Sequence, residues 1–266
     1  MKVALISEIH ANAEALAATL DDIAAHGADR IVCLGDIVGY NTKPRECIAL
    51  LRAADALCVA GNHDRAVSAP GANDTSGATA QAVEAMRKRL RDDDIAFLAG
   101  LPLKAVVDGK LIAVHGALHV DAGSETVRLD TDARLALSMA ALISHPSRAR
   151  ICAFGHANEV TIYQRYRGKT VSLPDDEIEL RRDAYYLINP GAVDAAPGGD
   201  PRASYMLLDL AQRRLLVRRV DYDAQIPFVA ADEAGLAPGA AFLPESLRNA
   251  IGKSLGAVLG RKRDGR

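Results

Sequence analysis

Side chains suited to metal ions recur at the ends of short apolar runs: Ser7-Glu8-Ile9-His10, Gly35-Asp36, Gly61-Asn62-His63-Asp64, Val114-His115-Gly116 and Gly155-His156-Ala157-Asn158. The imidazoles of His10, His115 and His156 suit Zn, Mn, Fe or Ni, whereas the oxygens of Glu8, Asn62 and Asn158 suit harder ions. Two divalent cations about 3.5–4 Å apart repel each other, so a dinuclear site needs a bridging carboxylate and further N or O ligands on each ion. Asp36 suits the bridge because Gly35 lets the backbone approach closely there. With only Glu8 and Asp36 facing two dications, the excess positive charge would favour hydroxide and an anionic phosphate.

Something must bring these turns together. Residues 2–6, 30–34, 56–60, 111–114 and 150–154 are short apolar runs rich in Val, Ile and Leu, and they read as buried strands. Between them, residues 13–25, 44–54, 79–90 and 132–144 carry Ala and Leu at helical spacing with few breakers. Strand and helix alternate, so the fold class is α/β. Ligands in such folds sit beyond the carboxyl ends of the strands, where each of the motifs lies.

The order and wording of these motifs resemble the compact bacterial and archaeal branch of the calcineurin-like metallophosphoesterase family, whose pattern is D-x-H, G-D, G-N-H-D, H-G, G-H-x-H. The likeness extends to Cys33-Leu34-Gly35-Asp36-Ile37-Val38-Gly39-Tyr40, Asn189-Pro190-Gly191-Ala192 and Asp200-Pro201-Arg202-Ala203-Ser204-Tyr205, and spans about residues 1–225. It implies a four-layer α/β/β/α sandwich of two mixed sheets flanked by helices. It also implies a first metal on Glu8, His10, Asp36 and Asn158 and a second on Asp36, Asn62, His115 and His156. His63 would assist the leaving group, with Asp64 placed to orient it. The implied reaction is hydrolysis of a phosphomonoester or phosphodiester by a metal-bridging hydroxide, with Mn, Fe, Zn or Ni as the ions.

Two departures fall on the first metal. Glu8 stands where the family has Asp, and Asn158 where it has the second His of G-H-x-H; Ala11 replaces the usual Gly of the same first turn. Glu reaches about 1.5 Å farther than Asp, one C–C bond, while Asn falls short of a histidine's distal nitrogen by a similar distance. The first ion would then shift toward Asn158 and bind weakly, since an amide oxygen is a poorer ligand than imidazole for late transition metals. An alternative reading follows: a catalytically impaired, one-metal phosphate- or nucleotide-binding protein of the same fold.

The rest of the chain is quieter. With 266 residues, 49% hydrophobic and 25% charged, it reads as one domain over 1–266 with a helical extension from about 243, ending in a helix over 244–259. A net charge of −2 supplies no global field for nucleic acid or an anionic membrane, so the expected partner is a small phosphorylated substrate, and the apolar last helix leaves a homo-oligomer open. The basic tail, 261–266, reads as solvated. Cys33, Cys47, Cys58 and Cys152 form no C-x-x-C pair and read as buried thiols. A strand directly after Met1, with no signal region, points to the cytoplasm. His119 and His145 read as surface or rim residues, His26 as a helix C-terminus, and Asn189-Pro190-Gly191 as a turn supporting the site. Arg202 reads as a solvated loop residue or a phosphate-steering one. Residues 69–78 read as a loop over the site, and the charged stretch 173–183 as a hairpin insertion. Hairpins are expected from 161–165 with 169–173 and from 204–210 with 214–220. Neither G-x-G-x-x-G after the first strand nor G-x-x-x-x-G-K occurs, which excludes dinucleotide and P-loop sites.

Overall fold

The run 2–6 is apolar on both faces, so as a strand it must be covered on both. The computed structural model describes residues 1–69, 78–174, 176–194, 200–234 and 236. In it the chain runs β1 (Lys2–Ile6), α1 (Ala13–Ala25), β2 (Arg30–Cys33), α2 (Pro44–Ala53), β3 (Leu57–Cys58), α3 (Asn62–Ser68), α4 (Ala78–Arg87) and α5 (Asp92–Ala99). It continues through β4 (Lys104–Val107), β5 (Leu111–Val114), α6 (Asp132–Ser144), β6 (Ile151–Ala153), β7 (Val160–Tyr166) and β8 (Lys169–Ser172). It closes with β9 (Glu177–Glu179), β10 (Tyr185–Pro190), β11 (Ala203–Asp209), β12 (Arg214–Val220) and α7 (Gln225–Glu233).

Two six-stranded mixed sheets result, ordered β3-β2-β1-β11-β12-β9 and β4-β5-β6-β10-β7-β8. β1, β2 and β3 run parallel, as do β5, β6 and β10, so their carboxyl ends share a direction within each sheet. Side-chain alternation builds the layers. Val3, Leu5 and Val32 point between the sheets and meet Ala153, Tyr186 and Ile188. Ala4, Ile6 and Cys33 face the other way, onto Leu16 and Ile23 of α1 and Ile48 and Leu51 of α2. On the far side, Ile112, Val114, Cys152 and Leu187 pack against Met139 and Leu142 of α6. The expected α/β/β/α sandwich of two mixed sheets is therefore the observed one.

Local chemistry sets the helix ends. Asn12 caps α1 by accepting from the Ala15 N–H at 3.0 Å, and Pro44 opens α2, where its missing N–H costs nothing. His26 closes α1 with Nδ1 2.7 Å from the Asp22 carbonyl, as a helix C-terminus requires. All four cysteines are buried free thiols.

Both expected hairpins form, as β7 with β8 and β11 with β12. The charged stretch 173–183 differs from the expected hairpin insertion. Its β9 pairs antiparallel with β12 in the first sheet, because Ile178, between exposed Glu177 and Glu179, turns with Leu180 into the inter-sheet core, opposite Leu215. Asn189 and Pro190 end strand β10, where a proline is tolerated, and the expected turn follows at Gly191 (φ 81°), whose N–H bonds Asn189 Oδ1 at 2.9 Å; Asn189 supports the site by donating to the Gly155 carbonyl at 2.8 Å. Helices α3, α5 and α7 and strands β4 and β10 add to the elements expected. The helix expected over 244–259, the basic tail and residues 70–77 of the expected loop lie outside the described residues. Among the described residues no helix is long and apolar enough to cross a membrane.

Leu5 is fully buried between the sheets. Leu5→Ala should lower the urea-unfolding free energy by about 2–5 kcal/mol with an unchanged slope. A change confined to the slope would place the effect in the unfolded chain instead.

Candidate metal centre

Backbone strain concentrates in the turns after β1, β2 and β6. Glu8, His10, Ala11, Asp36, His156 and Asn158 all adopt left-handed φ values, between 49° and 64°. For residues with a Cβ this costs on the order of 1–3 kcal/mol each and persists only where the surroundings enforce it. Here the surroundings do. The N–H groups of Ile9 and His10 both bond the Asp36 carbonyl, at 2.8 and 2.9 Å, and that of Ala11 bonds Ile37 at 2.9 Å. From beneath, Val193 and Asp194 donate to the carbonyls of Ser7 and Glu8, each at 2.9 Å. The Asp194 carboxylate accepts from the amides of Asn12 (2.7 Å) and Asn41 (3.0 Å), locking the first two turns to the segment after β10.

Two glycines are required by close approach. Gly35, at φ 97°, lies back to back with Gly61, and a side-chain carbon on Gly61 would overlap Asp36 Oδ1 and N. Asp64 secures this contact: Oδ1 accepts from the N–H groups of Ile37 (2.9 Å) and Val38 (3.1 Å), and Oδ2 from Gly61 (2.9 Å). This differs from the expectation that Asp64 orients His63. Among the described residues its carboxylate makes no hydrogen bond to that ring, because backbone amides of the second and third turns occupy it.

Asp36 stands between two groups of potential ligands, His10 with His63 on one side and His115 with His156 on the other; within each group one ligand atom per residue lies within 4.8 Å of the others. The His63 N–H also donates to Asp36 Oδ1 at 3.0 Å. His115 shows most directly that a cation fits. Its Nδ1 donates to the Leu34 carbonyl at 2.7 Å, using the one proton of a neutral imidazole, while Nε2 lies 3.1 Å from Asn62 Oδ1 and 3.5 Å from Asp36 Oδ2. Three lone pairs converge there in this arrangement, and a proton or a metal ion between them relieves their repulsion.

The first-site residues are arranged differently from the family pattern. Glu8 reaches across to the fifth turn, where Oε1 accepts from the His156 N–H at 2.7 Å and from Ser7 Oγ at 3.1 Å. Only Oε2 faces the centre, 3.3 Å from His10 Nε2, and Glu8 joins neither ligand group among the described residues. His63 takes a place beside His10 and Asp36 instead. Asn158 lies partly buried in the fifth turn, its side chain without a hydrogen-bond partner among the described residues. His10 Nδ1 is buried without a partner among those residues, and the ring meets Glu8 through Nε2.

The electrostatics follow from burying unlike charges together. Burial opposes ionisation of Asp36, yet His115, His63 and His10 hold it far below the usual carboxylate range. Burial would depress His115 and His10, but Asp36 and Glu8 raise them to about 10 and about 9. His63 is lowered by burial, and His156, lowered first by burial and then by the His115 charge, falls to about 4. Burial and the Asp36 charge push Asp64 up to about 6 against the amides of Gly61 and Val38.

Two residues lacked any metal-liking signal in the sequence. Tyr40, 39% exposed, sets its ring 4.8 Å from that of His10 and 4.9 Å from that of His63. Arg128 follows Ser124–Val127, a segment packed on Gly116 beside His115, and its charge is felt by both Tyr40 and His156. Arg202, by contrast, is held by Asp200 through contacts as short as 2.6 Å. His119 and His145 bond Ser138 and Ser147, outside both groups.

A family model described as the calcineurin-like phosphoesterase superfamily domain matches residues 1–213. The uncharacterized protein MJ0912 of Methanocaldococcus jannaschii is 31% identical over 226 residues, covering 83% of this chain and 88% of that one. A metallophosphoesterase from Sphaerobacter thermophilus superposes with a TM-score of 0.72 at 31% identity, covering 94% of this chain and 97% of that one. The hypothetical protein PH1004 of Pyrococcus horikoshii shares the fold at 16% identity, with a TM-score of 0.70 and coverage of 90% and 96%.

Gly61→Ala should displace Asp36 and lower metal content at least tenfold by mass spectrometry while leaving the circular dichroism unchanged; full metal content would show that the turn can yield. Both His10 and His115 carry protons at pH 7 in the metal-free protein, since their values lie near 9 and 10. Metal loading should therefore release roughly two protons and weaken as pH falls, as calorimetry in buffers of different ionisation enthalpy will measure. Loading without proton release would contradict the arrangement.

Proposed function

Because the chain belongs to the calcineurin-like phosphoesterase superfamily, we propose that it is a metal-dependent hydrolase of phosphomonoesters or phosphodiesters, with two divalent cations sharing Asp36. The observation that carries this reading is the membership of one buried carboxylate in both ligand groups. Asp36, Asn62, His115 and His156 would hold one ion; His10, Asp36 and the free oxygen of Glu8 the other, with Asn158 at its edge and His63 beside it. Mixed imidazole and oxygen donors suit Mn, Fe, Zn or Ni. Bound cations supply Lewis acidity toward phosphoryl oxygens and lower the pKa of water.

The chain's own groups do the remaining work. His63 stands at the rim with its ring against Tyr40, placed to hand a proton to the departing alcohol. Burial keeps it mostly neutral near pH 7, so proton donation strengthens as pH falls until metal loss intervenes. Tyr40 and the Arg128 charge flank the opening and favour an anionic phosphate on a small substrate.

Metal-stripped protein titrated separately with manganese, nickel, zinc and magnesium should hydrolyse chromogenic phosphomonoester or phosphodiester substrates, and Asp36→Ala should abolish turnover. His63→Ala should cost about 10²–10⁴-fold on an alkyl phosphate, which needs a proton, and far less on a nitrophenyl ester, which does not. Equal losses on both esters would remove His63 from acid catalysis. One observation favours the alternative, a one-metal phosphate-binding protein: Glu8 Oε1 is already engaged by His156 and Ser7. Absence of turnover with every metal, despite metal bound by His115 and His156, would establish that alternative, and activity gained on combining Glu8→Asp with Asn158→His would confirm a dormant scaffold.

A further inference from the structure

At the end of the sandwich opposite the metal turns, where β5, β6 and β10 begin and the β11–β12 hairpin turns, the two sheets part around a cavity of about 250 Å³. Four cations from three connections line it: Lys110 from the β4–β5 hairpin, Arg148 and Arg150 from the segment before β6, and Arg213 from the β11–β12 hairpin. Asp209 is the one acid in the wall, and its Oδ1 already accepts from the N–H groups of Ala211 and Gln212, both at 2.9 Å. Among the described residues none of the four cations has a carboxylate within 4.0 Å, unlike Arg134, which pairs with Asp130, Arg202 with Asp200 and Arg219 with Asp176. A chain of net charge −2 thus gathers unpaired positive charge around one concavity. Such crowding is unfavourable on its own, and an anion relieves it.

The cradle is preformed. The Arg150 carbonyl accepts from Tyr186 N–H at 2.8 Å and the Arg213 carbonyl from Leu180 N–H at 2.6 Å, which fixes both backbones to the sheet ends. The Arg150 guanidinium stacks 4.7 Å from the Tyr185 ring on the α6 side of the sheet, and Arg213 donates from Nε to the Leu180 carbonyl at 2.8 Å and from Nη2 to the Arg181 carbonyl. Tyr186, fully buried, belongs to the apolar floor, which is continuous with the inter-sheet core. We infer that this cavity is a second ligand site, for a small molecule bearing a phosphate or pyrophosphate group. Lys110 and Arg148 keep charged groups free of any acceptor among the described residues, a guanidinium fork matches phosphate oxygens in pairs, and a volume just below the roughly 300–1,000 Å³ of drug-sized pockets suits a ligand of that size. The site is separate from the metal turns and does not depend on the reaction proposed there.

Calorimetric titration of inorganic pyrophosphate into the full chain, kept metal-free with excess chelator so that the metal turns hold no anion, tests this. Binding at one site is expected, unchanged by Asp36→Ala and weakened at least tenfold by Lys110→Glu, an exposed hairpin residue whose replacement leaves the circular dichroism intact. The paired substitution Arg148→Ala with Arg150→Ala should weaken it further. No binding to the metal-free chain, or equal binding by the Lys110→Glu protein, overturns the inference.

Discussion

One buried carboxylate governs this molecule. Asp36 is ionised in the interior, receives the backbone N–H of His63, and is surrounded by the imidazoles of His10, His63, His115 and His156. A carboxylate so placed is tolerable only with positive charge on both sides. That requirement determines what must surround it: turns from four further strand ends in two sheets, a glycine behind it at Gly61, and a strained first turn laid over its own carbonyl. The strands, helices and cores can be read as the frame that holds these turns in place.

The frame does so by hydrogen bonds that skip the local sequence. Asp64 ties the second turn to the third, Asp194 ties the first two to the segment after β10, and Glu8 ties the first to the fifth. Each is an acidic side chain bonded to amide donors, an arrangement that stabilises an ionised carboxylate away from water. The strain of the left-handed residues is therefore shared among elements distant in the chain, and no single turn is stable in isolation.

Much of this was legible in the residues alone. Apolar runs ending in polar turns gave the strands and their direction, and histidines at those ends located the centre. What escaped was whatever depends on separation along the chain. Glu8 invited comparison with a shorter aspartate at a metal, yet its extra length is used on an amide in another sheet. Asp64 looked like a partner for its neighbour His63 because adjacency suggests pairing, whereas its acceptors face amides brought by a different strand. Tyr40 offers no ligand atom of the expected kind, and its importance is visible only from the rings it touches. Pro190 and Gly191 concealed β10, since a proline and a glycine at a strand's end carry the same signature as a turn.

The pairing of β1 with β11 has a bearing on how the protein comes into being. Lys2 lies opposite Asp209, so during synthesis β1 finds its antiparallel neighbour only about two hundred residues later. At about 5–20 residues per second, roughly 10–40 s of synthesis pass while that edge of β1 stays open. Because β9, β11 and β12 return to the first sheet after the second has begun, neither sheet is complete when the nascent chain first displays its metal-binding turns. The centre is thus assembled only once β11 and β12 have been made, and cations have no finished site to enter before those strands arrive.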